Sequence, residues 1–198
     1  MKSKNWSVGI FLFDDIEVLD FAGPFEVFSV TTKENGEKPF NVETISADGG
    51  MIRALNGLNV QPDYSFETMP NFDILVIPGG RGAREREIHN EETIAWIKAQ
   101  SKSVRLLTSV CTGALLLAKA GLLDGKAATT HWASYDRLEK DFPAVQVKRD
   151  VKFVDEGDIV TSGGISAGIN MSFHIVERLL GAETARETAK RMEYDIVF

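Results

Sequence analysis

The one cysteine of the chain stands in Leu106-Leu107-Thr108-Ser109-Val110-Cys111-Thr112-Gly113-Ala114, where an apolar run ends and a helical pattern begins. This strand–Cys–helix layout is that of a nucleophile elbow, in which a tight turn presents a reactive atom above the end of a sheet. Ser109 holds the place where the full motif has its first glycine, so the match is partial. A helix start offers unpaired N–H groups and a partial positive charge, and both favour a thiolate. A free thiol with a pKa of about 8.5 is only a few per cent ionised at neutral pH. A downward shift of about 2–3 units, roughly 3–4 kcal/mol, makes thiolate the main species. The expectation is a low-pKa nucleophile. The competing account is a buried structural cysteine, a common place for a free thiol.

Three other segments are candidates to converge on Cys111. Asp20, in Val18-Leu19-Asp20-Phe21-Ala22-Gly23-Pro24, follows the first strand. A carboxyl beside a thiolate has a raised pKa and serves as a hydrogen-bond donor or proton shuttle. An Asp before a helix is equally explained as an N-cap, and Glu17 is a rival acid three residues earlier. His131, in Ala128-Thr129-Thr130-His131-Trp132, fits a general base or thiolate partner, or a hydrogen-bonded turn histidine. The pairs Gly79-Gly80 and Gly163-Gly164 can aim backbone N–H groups at a developing anion, or can simply make turns. His89, His131 and His174 are scattered with no ligand spacing, so no metal site is expected, and no phosphate-binding or dinucleotide loop is present.

Such residues need elements to hold them. Val8–Phe13, Ile74–Ile77 and Val104–Val110 read as buried strands, and Phe40–Ser46 alternates before the Asp48-Gly49-Gly50 turn. Phe21, Phe25 and Phe28 are spaced for one face of a helix capped by Asp20. Met51–Pro62 reads as a strand pair turning near Asn56-Gly57. Further helices are expected over Glu91–Gln100, Thr112–Ala120, Tyr135–Phe142, Gly168–Leu180 and Glu183–Met192. Ala127–Thr130 reads as a short strand, and Gln146–Val154 with Asp158–Thr161 as a hairpin around Glu156-Gly157. Strand-then-helix alternation predicts an α/β fold with a mostly parallel central sheet and helices on both faces. Ligand sites in such sheets lie beyond the carboxyl ends of the strands. That rule points at the turns 14–20, 78–82, 110–113 and 162–168.

The 198 residues suggest a single domain over 1–198, and 43% hydrophobic with 26% charged residues is an ordinary globular composition. A lone cysteine excludes an internal disulfide. A net charge of −7 repels phosphate backbones, so no nucleic-acid partner is expected. After the lysines at positions 2 and 4, the apolar run Val8–Phe13 is too short for a signal segment or a membrane span. Lys119 interrupts the later stretch Ala114–Leu123. A cytoplasmic, soluble protein with no membrane contact is expected.

Five motifs in order carry a family resemblance. They are Leu19-Asp20-Phe21-Ala22-Gly23-Pro24-Phe25-Glu26-Val27-Phe28, Ile77-Pro78-Gly79-Gly80, Ser109-Val110-Cys111-Thr112-Gly113-Ala114, Ala128-Thr129-Thr130-His131-Trp132 and Gly163-Gly164-Ile165-Ser166-Ala167-Gly168-Ile169. Together they resemble the ThiJ/PfpI superfamily, with its class I glutamine amidotransferase-like fold, over essentially the whole chain. Within it they look like the isocyanide hydratases. The resemblance implies a flavodoxin-like sandwich, a homodimer, a small-molecule substrate and no cofactor. It implies Cys111 as nucleophile, Asp20 beside it as the acid, and Thr112 with the backbone around Ile165 in the same pocket. Gly79, Gly80 and His131 complete the candidate pocket. The protease-like branch has a histidine directly after the cysteine, whereas Thr112 stands here; relatives commonly end the glycine–isoleucine run in Asp, whereas Asn170 stands here. The implied reaction is hydration of an isocyanide to an N-substituted formamide through a thioimidate. Two other readings are kept. The motifs also resemble the amino-terminal domains of AraC-type regulators; with Phe198 as the last residue no DNA-binding domain is expected, and the reading becomes a ligand- or redox-sensing module. The third is a glyoxalase-like or protein-repair activity on reactive carbonyls, against which Asp20 rather than a glutamate weighs. Methylglyoxal turnover separates that reading.

Overall fold

The structure is a computed structural model that describes residues 5–196; the two amino-terminal lysines and the last two residues lie outside it. In chain order the elements are β1 (Trp6–Phe11), α1 (Val18–Val30), β2 (Phe40–Ser46), β3 (Ile52–Arg53), β4 (Asn59–Val60), β5 (Tyr64–Ser65), β6 (Ile74–Ile77), α2 (Arg81–Glu85) and α3 (Glu91–Gln100). There follow β7 (Leu106–Val110), α4 (Gly113–Lys119), β8 (Ala127–Ala128), α5 (Tyr135–Asp141), β9 (Gln146–Val147), β10 (Phe153–Asp155), β11 (Ile159–Ser162), α6 (Ala167–Leu180) and α7 (Ala182–Arg191).

Seven strands form the main sheet in the order β10-β11-β7-β6-β1-β2-β5. Every pairing is parallel except that of the edge strand β10 with β11. The all-apolar Ile74-Leu75-Val76-Ile77 of β6 is buried along its whole length, as a strand covered on both faces requires. From β1 the chain crosses through α1 to β2 on one side, and later returns to β6 on the other. Right-handed crossovers in opposite directions place their helices on opposite faces. Accordingly α1, α6 and α7 pack together on one face and α2, α3 and α4 on the other. The order reverses between β1 and β6, which opens a crevice at their carboxyl ends.

The loops around this crevice are tied to one another. Asp15 accepts from Arg81 at 2.7 Å and Arg86 at 2.6 Å, which joins the loop after β1 to α2 after β6. Ile16 and Gly80 form a bridge, and the β3–β4 hairpin buttresses the same loop through Asp15 N–H to Arg53 C=O (2.8 Å) and Leu55 N–H to Ile16 C=O (2.9 Å).

Four expectations about elements need correction. Asp20 is not an N-cap: Glu17 takes that place and Asp20 lies inside the first turn of α1, fully buried. Phe25 does not join the buried stripe of Phe21, Pro24, Val27 and Phe28; at 100° per residue it lies about 100° from Pro24 at the stripe's centre. Gln146–Val154 is not one strand, because Asp150 adopts a left-handed backbone (φ 58°) that breaks it. Only Phe153–Asp155 forms the hairpin with β11, while β9 pairs with β8 in a separate two-stranded sheet. The strand expected over Ala127–Thr130 stops at Ala128; beyond it the Thr129 N–H donates to the Thr161 hydroxyl and the Thr130 hydroxyl donates to the Cys111 carbonyl.

Candidate active site

Cys111 follows β7 at once and has a left-handed backbone, φ 56°. Only glycine adopts that region without cost, so the surroundings must hold it there. They do so on both sides of the residue. Its N–H lies 3.2 Å from the carbonyls of both Ser162 and Gly163, and its carbonyl accepts the Thr130 hydroxyl at 2.7 Å. Gly113 is needed next, because a side chain there would collide with the carbonyl of Ile77. The sulfur residue is 5% exposed.

The expected low-pKa thiol is not what this environment makes. Burial pushes the Cys111 thiol well above its ordinary value, and the neighbouring Asp20 carboxyl pushes it the same way. The Thr112 N–H and hydroxyl pull it down, but by less. The helix behind the cysteine has only seven residues, and loss of water outweighs what its start supplies.

Asp20 comes to the same point from the other side of the crevice. Its Oδ2 accepts the Gly79 N–H at 3.0 Å. Its Oδ1 is fully buried and lacks a partner in hydrogen-bonding geometry, although the Cys111 thiol and the Ile165 N–H are close enough to act on the carboxyl. Burial raises its pKa to about 8, and the charge of Glu17 adds to the rise. The contacts with Gly79, Cys111 and Ile165 oppose it. Asp20 therefore carries its proton at neutral pH. Two acids side by side in a dry place carry at most one negative charge between them.

Gly79, Gly80 and Thr112 form one clamp. The Gly80 N–H donates to the Thr112 hydroxyl at 2.9 Å, and that hydroxyl lies 3.2 Å from the Gly80 carbonyl. Gly80 has φ 127°, and Gly79 leaves no room for a side chain against the Thr112 N–H and Oγ1. Gly79→Ala is expected to lower stability by about 2–3 kcal/mol, because its neighbours are backbone and a buried side chain that cannot swing away. Thermal unfolding checks this, and an unchanged Tm contradicts it.

Ile165 is a second left-handed residue, φ 56°, after the end of β11. A β-branched side chain in that region is an outlier that functional sites tolerate. Its N–H turns toward Asp20 while its side chain is 37% exposed. His131 sits apart from this cluster's hydrogen bonds. Its Nδ1 accepts the Ala133 N–H at 3.3 Å, which leaves the ring proton on Nε2, and its ring lies against Gly164. Burial and the nearby Arg84 lower its pKa, against a smaller opposing pull from Glu17, so it is neutral at pH 7. The exposed Trp132 lies beside it, ring centroids 5.5 Å apart. His174 bonds Asp155 at 2.7 Å, and Asn170 lies 3.5 Å from the Tyr194 hydroxyl.

The structure thus brings Cys111, Asp20, Thr112, Gly79, Gly80 and the Ile165 backbone to one point and leaves His131 at the margin. Thr130 and the Ser162 carbonyl are contacts that the sequence reading passed over. The only signal for Thr130 was its place beside His131 in a motif already singled out. Among the described residues there is no group of three or more His, Cys, Asp or Glu side chains able to hold a metal ion, and no helix long and apolar enough to cross a membrane.

The chain is similar in sequence and fold to known proteins. The chain is 36% identical to the isonitrile hydratase of Pseudomonas putida over 187 residues, which is 94% of this chain and 78% of that protein. It is 29% identical to the HTH-type transcriptional regulator GbdR of Pseudomonas aeruginosa over 96% of its own length, but spans only 51% of that regulator. Among solved structures, a ThiJ/PfpI family protein from Pseudomonas syringae superposes with a TM-score of 0.86 at 26% identity, covering 98% of this chain and 77% of that one. Drosophila melanogaster DJ-1beta superposes at 0.83 with 21% identity, covering 97% of this chain and all of that one, a likeness of fold. The DJ-1/PfpI family model matches residues 6–178, from the first strand into α6. A match of that length, on a flavodoxin-like sheet with the cysteine at its elbow, makes the chain a member of the DJ-1/PfpI family.

Proposed function

We propose that the chain hydrates isocyanides to N-substituted formamides, with Cys111 as nucleophile and Asp20 as the group that moves the proton. One observation carries the reading: a buried carboxyl with one oxygen unpartnered stands beside the only thiol. An isocyanide carbon accepts a nucleophile but has no leaving group, so it must receive a proton as the bond forms. A carboxyl that shares its site with the nucleophile supplies that proton without exposing the intermediate to bulk water.

The steps balance with no other reactant than water. The reactive form is the one in which Asp20 is ionised, the minority at neutral pH and the majority above about pH 8; in it the thiol proton passes to the Asp20 carboxylate, and the sulfur bonds to the terminal carbon of R–NC. Asp20 returns the proton to that carbon, giving the thioimidate R–N=CH–S–Cys111. Water adds across C=N to give R–NH–CH(OH)–S–Cys111. The C–S bond then breaks, the hydroxyl proton returns to the sulfur through Asp20, and R–NH–CHO leaves. Thr112 steadies the sulfur through its N–H while its side chain holds Gly80.

Loss of ultraviolet absorbance of a simple aromatic isocyanide tests the proposal, with formamide identified by mass. A folded wild-type protein inert toward several isocyanides sinks it. His131→Gln is expected to keep turnover within about threefold, because Nδ1 serves the local turn rather than the sulfur; a hundredfold loss in that assay assigns His131 a chemical role instead. The match to a transcriptional regulator favours a ligand-sensing role as the second reading. Tight binding of an isocyanide or related small molecule without turnover is its signature.

A further inference from the structure

We infer that Thr130 is a positioning residue: its buried hydroxyl grips the carbonyl of Cys111 and keeps the cysteine backbone left-handed, with the sulfur turned to Asp20. The inference rests on the reading of Cys111 as nucleophile, but its test uses no isocyanide.

A left-handed cysteine relaxes unless both of its peptide groups are fixed. The N–H of Cys111 is fixed by the ends of β11, through Ser162 and Gly163. For its carbonyl the Thr130 hydroxyl at 2.7 Å is the short partner; the Ala114 N–H is at 3.5 Å. Thr130 is fully buried, so water does not replace it. The segment is itself anchored, because the Thr129 N–H donates to the Thr161 hydroxyl of β11 at 2.9 Å. This explains why the strand β8 stops at Ala128: the next backbone and side-chain groups bond the Thr161 side chain and the cysteine instead of continuing the ladder with β9. Removing the hydroxyl leaves the carbonyl of a strained residue with only the long 3.5 Å contact from the Ala114 N–H, and rotation of that turn is the way to relieve both. Rotation carries the sulfur away from Asp20.

The readout is the coupling between Cys111 and Asp20, measured as the iodoacetamide alkylation rate of Cys111 at pH 9. There Asp20 is ionised and opposes the thiolate. In the wild-type background Asp20→Asn is expected to speed alkylation by about tenfold, one pKa unit's worth. In Thr130→Val the same Asp20→Asn change is expected to alter the rate by less than about twofold, whereas Thr130→Ser retains the tenfold effect. Thr130→Ala is the second variant if the valine form does not fold. An Asp20→Asn effect of equal size in wild type and Thr130→Val overturns the inference, as does no effect in wild type. If neither the valine nor the alanine form folds while the serine form does, the hydroxyl serves stability and the inference also falls. A purely structural role lowers Tm but leaves the coupling in place.

Discussion

Cys111→Ala is expected to lose isocyanide turnover by at least about 10⁴-fold while remaining folded. Without the sulfur no covalent intermediate forms, and addition of water must protonate and attack the isocyanide carbon in one step. Asp20 and the Gly79–Thr112 clamp remain, but they have nothing to position. Alanine keeps a Cβ at a left-handed residue that the Thr130, Ser162 and Gly163 contacts already hold, so strain is unchanged and the Tm shift is small. Two measurements check the expectation. The ultraviolet assay reads the rate, and mass spectrometry of acid-quenched wild type reads an adduct equal to the isocyanide mass, absent in the variant. Turnover by Cys111→Ala within about a hundredfold of wild type would falsify covalent catalysis at this residue.

Asp20→Asn is expected to cut turnover by about 10²–10³-fold and, against the usual direction, to make the protein more stable above neutral pH. The two effects have one origin. A carboxyl whose folded pKa stands at about 8, against about 3.9 in the unfolded chain, must take up a proton on folding at neutral pH. Its contribution is fully present below the unfolded value and is lost as pH rises toward and through the folded one. At pH 8 the penalty is about 2–4 kcal/mol, allowing for relaxation around so buried a group. Asparagine keeps an oxygen for the Gly79 N–H and carries no charge. Its Tm should exceed that of wild type by several degrees at pH 8 and match it near pH 4. The same titration marks the kinetics. Because the carboxylate takes the thiol proton, wild-type kcat/KM should climb with pH through a midpoint near 8 and level off, and Asp20→Asn should lack that limb. A variant that is as active as wild type, or less stable at pH 8, contradicts the assignment of Asp20 as a buried proton carrier.

Much of the scaffold was readable because its signals are local. The observed bounds of β2, β6 and α3 match those read from periodicity. Asn90 fixes the start of α3 locally, its side chain accepting from the N–H groups of Glu92 and Thr93. Short elements were lost for the opposite reason. Five residues of α2 and two of β5 are too few for a period to show, and they form because Gly80 and β2 lead or pair them into place. The break at Asp150 turns on one backbone angle that an Asp adopts in some settings and not in others.

The sequence by itself determined the alternation of strands and helices, and with it the kind of sheet and the edge of that sheet where chemistry belongs. It also named the cysteine, since there is one, and the small residues that let loops approach it. Only the tertiary structure decided what those groups are. An Asp in the first turn of a helix is a surface residue or a buried acid according to what covers it, and the cover over Asp20 comes from Gly79, Cys111 and Ile165, remote in the chain. A thiol at a helix start is acidic in water and weakly acidic when buried beside a carboxyl, as Cys111 is. Thr130 grips a carbonyl 19 residues away. Ionisation and strain depend on the sum of all neighbours in space, and that sum is not written in any local pattern of residues.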